Sequence, residues 1–114
     1  MISGLDLNQT VDYVIEGDND NPTVWKIGVV SSYMYSRISI EQSGIEAAYK
    51  LLQICIKGWE NFDIPFSTVK EKIYGKELDV VPFSIIERLP LTVVAKLQKK
   101  ANEINQITEQ ERKN

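Results

Sequence analysis

Apolar and polar residues alternate in two stretches near the start of the chain, a pattern typical of strands. Residues 10–16 read T-V-D-Y-V-I-E and residues 23–30 read T-V-W-K-I-G-V-V, both rich in β-branched and aromatic side chains. Residues 17–22 read G-D-N-D-N-P, which are residue types that favour turns. The pattern predicts an antiparallel hairpin. Because one hairpin is only marginally stable in water, it must pack against another apolar surface.

Apolar residues at three- and four-residue spacing predict two amphipathic helices farther along the chain. The first extends from Ile45 to Ile56, with Lys57 in its last turn and Gly58 as its stop. The second begins at Pro90, because proline fits the first position of a helix. Its apolar stripe comprises Leu91, Val94, Leu97, Ala101 and Ile104.

Three shorter segments have weaker patterns. We interpret residues 31–40 as a short helix, with a loop as the alternative. Residues 66–73 carry apolar side chains at helical spacing before Gly75, which favours another short helix. Residues 84–87 read S-I-I-E and match a capping box, which predicts the start of a short helix that ends before Pro90.

Together these elements predict an α+β fold. An N-terminal antiparallel hairpin packs against a small bundle of amphipathic helices, and the C-terminal half of the chain is helical. Residues 1–107 form a single α+β domain in this prediction, and residues 108–114 form a polar, frayed C-terminal tail.

Composition and charge narrow the function classes. The chain has 114 residues, of which 43% are hydrophobic and 25% are charged, as expected for one globular domain. Its net charge of -3 argues against a nucleic-acid partner, because phosphate contacts need clustered Lys and Arg. Acidic residues dominate the first half of the chain and basic residues slightly dominate the second. This asymmetry favours either head-to-tail association or an unevenly charged, solvated surface.

The absence of a basic leader and of a long apolar stretch predicts a soluble protein without a membrane partner. The chain has one cysteine, Cys55, which excludes an intramolecular disulfide. Cys55 lies in an apolar run, so we expect a buried thiol in a reducing cytoplasm.

Residues that commonly carry catalysis or hold metals are scarce. The chain has no histidine, which removes the usual Ser-His and Cys-His pairs and the His-containing metal sites. Asp18 and Asp20 have the spacing of the first two ligands of a calcium-binding loop. In such a loop a third ligand and a glycine would follow, but this chain has Pro22 and Thr23 at those positions. A carboxylate pair at residues 60 and 63 remains as an acid–base alternative to ordinary turn capping. We therefore predict a protein that is not an enzyme, with no catalytic residue, no metal site and no cofactor.

Aromatic and apolar residues are the better candidates for a binding surface. Trp59, Phe62 and Phe66 fall in or beside a turn that must lie near the surface. Tyr33 and Tyr35 form a second candidate patch, and the helical residues Leu91, Val94 and Leu97 form a third. The alternative for every one of them is an ordinary core position. For Trp25, we favour the core.

Five short motifs occur in one order: D-N-P-T-V-W at 20–25, G-W-E-N-F at 58–62, P-F at 65–66, R-L-P at 88–90 and E-Q-E-R-K-N at 109–114. The series resembles that of small proteins encoded among the virion-morphogenesis genes of tailed bacteriophages, many of them described as tail assembly chaperones. The resemblance implies a non-enzymatic factor that binds phage tail or capsid proteins, or further copies of itself as a homo-oligomer, in the bacterial host cytoplasm. The alternative it leaves is a permanent virion protein of the capsid or head–tail junction.

Overall fold

A computed structural model of the protein describes the backbone of residues 1–113 and the side chains of residues 1–106. Within these residues the chain forms two antiparallel sheets and four helices. In chain order the elements are β1 (Thr10–Tyr13), β2 (Val24–Gly28), α1 (Ser32–Glu41), α2 (Gly44–Cys55), β3 (Ile56–Glu60), β4 (Val69–Ile73), β5 (Lys76–Val80), α3 (Phe83–Ile86) and α4 (Leu91–Lys113). The sequence predicts a polar, frayed tail over residues 108–114, whereas the described backbone continues α4 through residue 113; the side chains of this segment lie outside the described residues.

The first sheet has three strands in the order β1-β2-β3. Strands β1 and β2 pair in antiparallel fashion, so the hairpin predicted from residues 10–30 is present. The central strand β2 buries Trp25 and Ile27, which are 3% and 0% exposed. Helices α2 and α4 contact each other and this sheet, and the apolar side chains between them form one continuous core.

Helices α1 and α2 follow the sheet. The prediction of a helix near residues 31–40 is confirmed, and the Ser31 side chain caps it by accepting a hydrogen bond from the Met34 N–H at 3.1 Å. The predicted stop of α2 at Gly58 is wrong, because α2 ends at Cys55 and the chain passes directly into β3. Gly58 instead lies opposite Lys26 in the sheet. Pairing with β2 therefore decides the conformation of a segment whose local pattern favours a helix end.

The predicted architecture of one hairpin against a helical bundle is wrong in the second half of the chain. Residues 69–80 form the β4–β5 hairpin rather than a helix. One face of this hairpin is charged, and the other buries Ile73 and Val80. Its two-residue turn places Tyr74 and Gly75 at φ angles of 48° and 82°, as the tight turn of a hairpin requires. The C-terminal half therefore has only one long helix, α4.

Helix α3 is a single turn that begins two residues earlier than the predicted capping box implies. Pro82 stands at its N-cap and no side chain caps it, so the capping box expected at residues 84–87 does not form. The expected end before Pro90 is correct. Because α3 begins at Phe83, Ser84 is inside the helix and cannot act as its N-cap.

Two buried amide side chains connect the layers of the fold. The Gln53 side chain donates to the Val81 carbonyl at 3.0 Å, and the Val81 N–H donates to the Gln53 carbonyl, also at 3.0 Å. Asn105 of α4 accepts from the Val30 N–H at 3.1 Å and donates to the Ala101 carbonyl at 2.8 Å. Because buried polar groups are costly unless they are bonded, these contacts fix how α2 and α4 lie against the strands.

Candidate protein-binding surface

Four aromatic side chains, which we call the aromatic cluster, meet at one end of the three-stranded sheet. They are Trp25, Trp59, Phe62 and Phe66. The Trp59 ring lies 5.8 Å from that of Trp25, 5.3 Å from that of Phe62 and 4.9 Å from that of Phe66, in edge-to-face arrangements. Phe62 also contacts Trp25, with ring centroids 5.1 Å apart. The structure thus brings together the three aromatic residues that the sequence singles out in this turn, and adds Trp25 to them.

Strand β3 and the turn after it position these rings. Trp59 stands directly opposite Trp25 in the β2–β3 register. Asn61, just after the strand, then takes a φ of 59°, a conformation that asparagine adopts more readily than most residues. The Trp59 indole N–H donates to the Ile64 carbonyl at 2.7 Å, which fastens the turn onto the sheet. Trp59 therefore has a structural role as well as a partly exposed ring.

The β1–β2 loop braces the same turn from the other side. The Thr23 hydroxyl donates to the Asn61 carbonyl at 2.7 Å, and the Asn61 amide donates to the Pro22 carbonyl at 3.3 Å. Within the loop, the Asp18 carboxylate accepts from the Thr23 N–H at 2.9 Å. Asp18 therefore stabilises its own turn by a hydrogen bond within the loop.

Burial divides the aromatic cluster into a base and a surface. Trp25 is 3% exposed and belongs to the core, as the sequence predicts. Trp59, Phe62 and Phe66 are partly buried and pack against that core while part of each side chain faces solvent. The adjacent residues Asn61 and Asp63 are exposed. The result is an apolar surface with a polar rim, the composition of a small protein-binding site.

Tyr33 and Tyr35 lie on α1 and do not join the aromatic cluster. Tyr33 is 48% exposed, and the Arg37 guanidinium lies over its ring at 5.5 Å and over that of Tyr74 at 4.6 Å. The hydrogen bond that Arg37 makes to Glu41 raises the pKa of the arginine. Tyr35 donates its hydroxyl to Asn102 at 2.7 Å and is partly buried. Of this candidate pair, only Tyr33 offers much surface.

The predicted helical patch on α4 is divided by burial. Leu91 is 71% exposed, whereas Val94 and Leu97 are 3% and 0% exposed. Val94 and Leu97 therefore belong to the core between α4 and α2 rather than to a free surface. The apolar stripe of an amphipathic helix marks the face that its own domain buries, and the sequence does not show that α2 already covers it.

Other polar groups show structural contacts. Lys26 lies 3.2 Å from Asp12 and 4.0 Å from Glu60, so Glu60 faces a lysine across the sheet. Cys55 is buried, as the sequence predicts. Burial raises the pKa of its thiol to about 12, which keeps it protonated and unreactive near neutral pH.

The described residues contain no group of three His, Cys, Asp or Glu side chains placed to hold a metal ion. Over the same part of the chain, none of the helices has the length and apolar character needed to cross a bilayer.

The chain matches no protein-family model, no curated protein and no solved structure. Sequence reasoning placed Trp25 apart from the binding candidates because the pairing of Trp25 with Trp59 depends on β3, a strand that the local pattern does not indicate.

Proposed function

We propose that this protein is a non-enzymatic protein-binding factor in the virion morphogenesis of a tailed bacteriophage, acting as a tail assembly chaperone through the aromatic cluster. It holds aggregation-prone tail subunits in the cytoplasm of the bacterial host until they polymerise, and then leaves. A chaperone of this kind needs an exposed apolar patch that is surrounded by polar residues and that binds its client with moderate affinity.

One observation carries the proposal. Three of the five motifs that carry the resemblance to phage morphogenesis proteins meet in the aromatic cluster, although residues 20–25 are far along the chain from residues 58–62 and 65–66. Hydrogen bonds of Asn61 with Pro22 and Thr23 join the first two motifs, and the Trp59–Phe66 ring contact joins the third. Motifs that resemble one family and converge on one partly exposed surface support a shared binding role for that surface.

The rigidity of the cluster supports the same role. The Trp59 indole is fixed by its hydrogen bond to Ile64, and the rings on either side restrict one another. Preorganised aromatic side chains lose little conformational entropy when a partner covers them. The three partly exposed rings also form only a small contact surface. Small interfaces are typical of transient complexes, and this complex must dissociate when the tail polymerises.

Phe66 is the best residue with which to test the surface. Trp59 contacts three rings and fastens the turn, so its truncation would change stability and binding together. Phe66 makes one ring contact, with Trp59. Phe83 provides a matched control, because it is 49% exposed, lies outside the aromatic cluster and also makes one ring contact, with Tyr49.

The experiment captures partners of the affinity-tagged full-length chain from cells that produce the phage encoding it. We expect the wild type and Phe83→Ala to retain a tail subunit or the tape-measure protein, identified by mass spectrometry. Phe66→Ala should weaken that binding by about 1 to 2 kcal/mol, or about five- to thirtyfold, while its circular dichroism spectrum stays that of the wild type. If Phe66→Ala and Phe83→Ala retain the captured partner equally well, the aromatic cluster is not the binding surface.

Purified phage particles then separate a chaperone from a permanent virion protein. A chaperone is abundant in the lysate and absent from the particle. Stoichiometric copies in the particle would overturn the chaperone proposal in favour of a structural protein of the capsid or head–tail junction.

A further inference from the structure

A cleft of about 220 Å³ lies between the end of β2, the start of α1 and the β4–β5 hairpin. It shares no residue with the aromatic cluster. Its walls are formed by Leu7, Val29, Val30, Ser31, Met34, Ile54, Lys57, Lys76 and Leu78.

The floor of this cleft is apolar and its rim is positively charged. Val29, Val30, Met34 and Ile54 are all no more than 5% exposed, so they belong to the core and offer the cleft a fixed apolar base. Ser31, at the N-terminus of α1, adds the positive end of a ten-residue helix to the wall. An occupant therefore needs an apolar group for the floor and negative charge near the rim.

Lys57 and Lys76 supply the charge of the rim. Both are exposed, and neither lies within 4.0 Å of a carboxylate in the part of the chain whose side chains are described. By contrast, Lys50 and Lys70 form ion pairs with Glu71 and Asp79 at 3.0 and 3.2 Å. The two lysines of the cleft are thus available to a carboxylate from another molecule.

The backbone directs both lysines to this place. A Cβ atom at Gly28 would lie 2.8 Å from Lys57 Cγ and 2.9 Å from Lys57 Cε, so the lysine side chain lies flat across a strand that has no side chain there. Lys76 pairs with Ile73 in the β4–β5 register and therefore shares its inner face rather than the charged outer face. Both lysines therefore line the cleft while their side chains remain exposed to solvent.

We propose that the cleft binds a peptide segment of a partner protein in which one apolar side chain is flanked by carboxylates. The cleft is smaller than the roughly 300 to 1,000 Å³ of typical small-molecule sites, so its size suits a single side-chain anchor. The apolar floor takes the side chain, and the ammonium groups of Lys57 and Lys76 contact the flanking carboxylates. This site is independent of the aromatic cluster and does not rest on the proposed tail assembly function.

The test is an NMR titration of the full-length protein with an acetylated, amidated pentapeptide, Gly-Asp-Leu-Asp-Gly. We expect saturable shifts of the methyl signals of Val30, Met34 and Leu78. Replacing both Asp residues of the peptide by Asn, or its Leu by Gly, should weaken binding, because each change removes one of the two contacts.

Variants of the protein then test the rim. Lys57→Gln and Lys76→Gln should each weaken binding about two- to fivefold, and by less at high salt. Lys72→Gln is the matched control, since Lys72 is an exposed lysine of the same hairpin that does not line the cleft. Gly28→Ala keeps both charges but displaces the Lys57 stem, and it should reduce affinity as Lys57→Gln does.

Three results would overturn the proposal. One is the absence of shifts in the cleft methyl signals, and another is equal affinity of Lys57→Gln, Lys76→Gln and Lys72→Gln for the peptide. The third is a concentration-dependent shift of the same signals without peptide that disappears in Lys57→Gln, which would identify a second copy of the chain as the occupant.

Discussion

The three-stranded sheet and the β4–β5 hairpin are both antiparallel, but they bury different kinds of side chain. In the sheet, β2 is paired on both sides and buries Trp25 and Ile27 almost completely. The hairpin has two strands, and its outer face consists of Lys70, Lys72, Glu77 and Asp79. The sheet is therefore stabilised by its own apolar side chains, whereas the hairpin contributes few of them.

The hairpin holds its place through contacts with the helices. Glu71 pairs with Lys50 of α2 at 3.0 Å, and the Tyr74 ring lies under the guanidinium of Arg37 at 4.6 Å. Val81, just after β5, bonds to Gln53. Because an isolated two-stranded hairpin is only marginally stable in water, these contacts with the helices decide whether the hairpin forms. The aromatic cluster thus stands on the three-stranded sheet, which buries apolar side chains of its own, while one wall of the cleft belongs to the hairpin.

The largest effect should come from removing the base of the aromatic cluster. Trp25→Ala deletes a core side chain that is 3% exposed and contacts both Trp59 and Phe62, so we expect a loss of about 3 to 5 kcal/mol in the free energy of unfolding. Urea denaturation followed by circular dichroism measures it. A loss below about 1 kcal/mol would mean that the sheet does not depend on its apolar base.

A smaller and more local effect should follow a change in the hairpin turn. Gly75 has a φ of 82°, so Gly75→Ala forces a side chain into the left-handed region at a cost of about 1 to 2 kcal/mol. We expect faster hydrogen exchange in residues 69–80 with little change in β2. Gly4→Ala is the control, because Gly4 has neither a positive φ nor a neighbour within 4 Å. Equal acceleration in β2 would show that the hairpin and the sheet open together.

The smallest effect should come from the outer face of the hairpin. Lys70 lies 3.2 Å from Asp79 and 3.9 Å from Glu77, and all three side chains are well exposed. Lys70→Gln should cost about 0.2 to 1 kcal/mol and lose its effect at high salt, because water and ions screen exposed pairs. Lys72→Gln, on the same strand and without an ion pair among the described side chains, should cost less. If Lys72→Gln costs as much as Lys70→Gln, the cross-strand pairs do not stabilise the hairpin.

The sequence predicted the elements whose signals are local. The β-branched run around Trp25 and the turn residues before it identify the first hairpin, and the apolar stripe of α4 identifies that helix. Val94 and Leu97 fall on that stripe, yet the same pattern could not distinguish a buried face from a binding face. The stripe of α2 was also only approximate, since Ile45 is 63% exposed.

The β4–β5 hairpin shows why the rest escaped prediction. Val69 and Ile73 are four residues apart, a spacing that fits a helix as well as a strand when so few apolar residues are present. Its turn uses Tyr74 before Gly75, whereas Asn or Asp before glycine is the usual signal.

The sequence alone thus predicted the α+β class, the first hairpin and the helices α2 and α4, because each has a signal carried by residues close together along the chain. It favoured a helix over a loop at α1 and buried positions for Trp25 and Cys55, and the tertiary packing decided these. Only the tertiary structure decided that residues 56–60 form a strand, that residues 69–80 form a hairpin, and that Trp59 and Phe62 pack against Trp25 while Phe66 packs against Trp59. The pairing of Trp59 with Trp25 joins segments more than 30 residues apart, and the β4–β5 hairpin depends on its contacts with α1 and α2, so no local window of the sequence contains all of these partners.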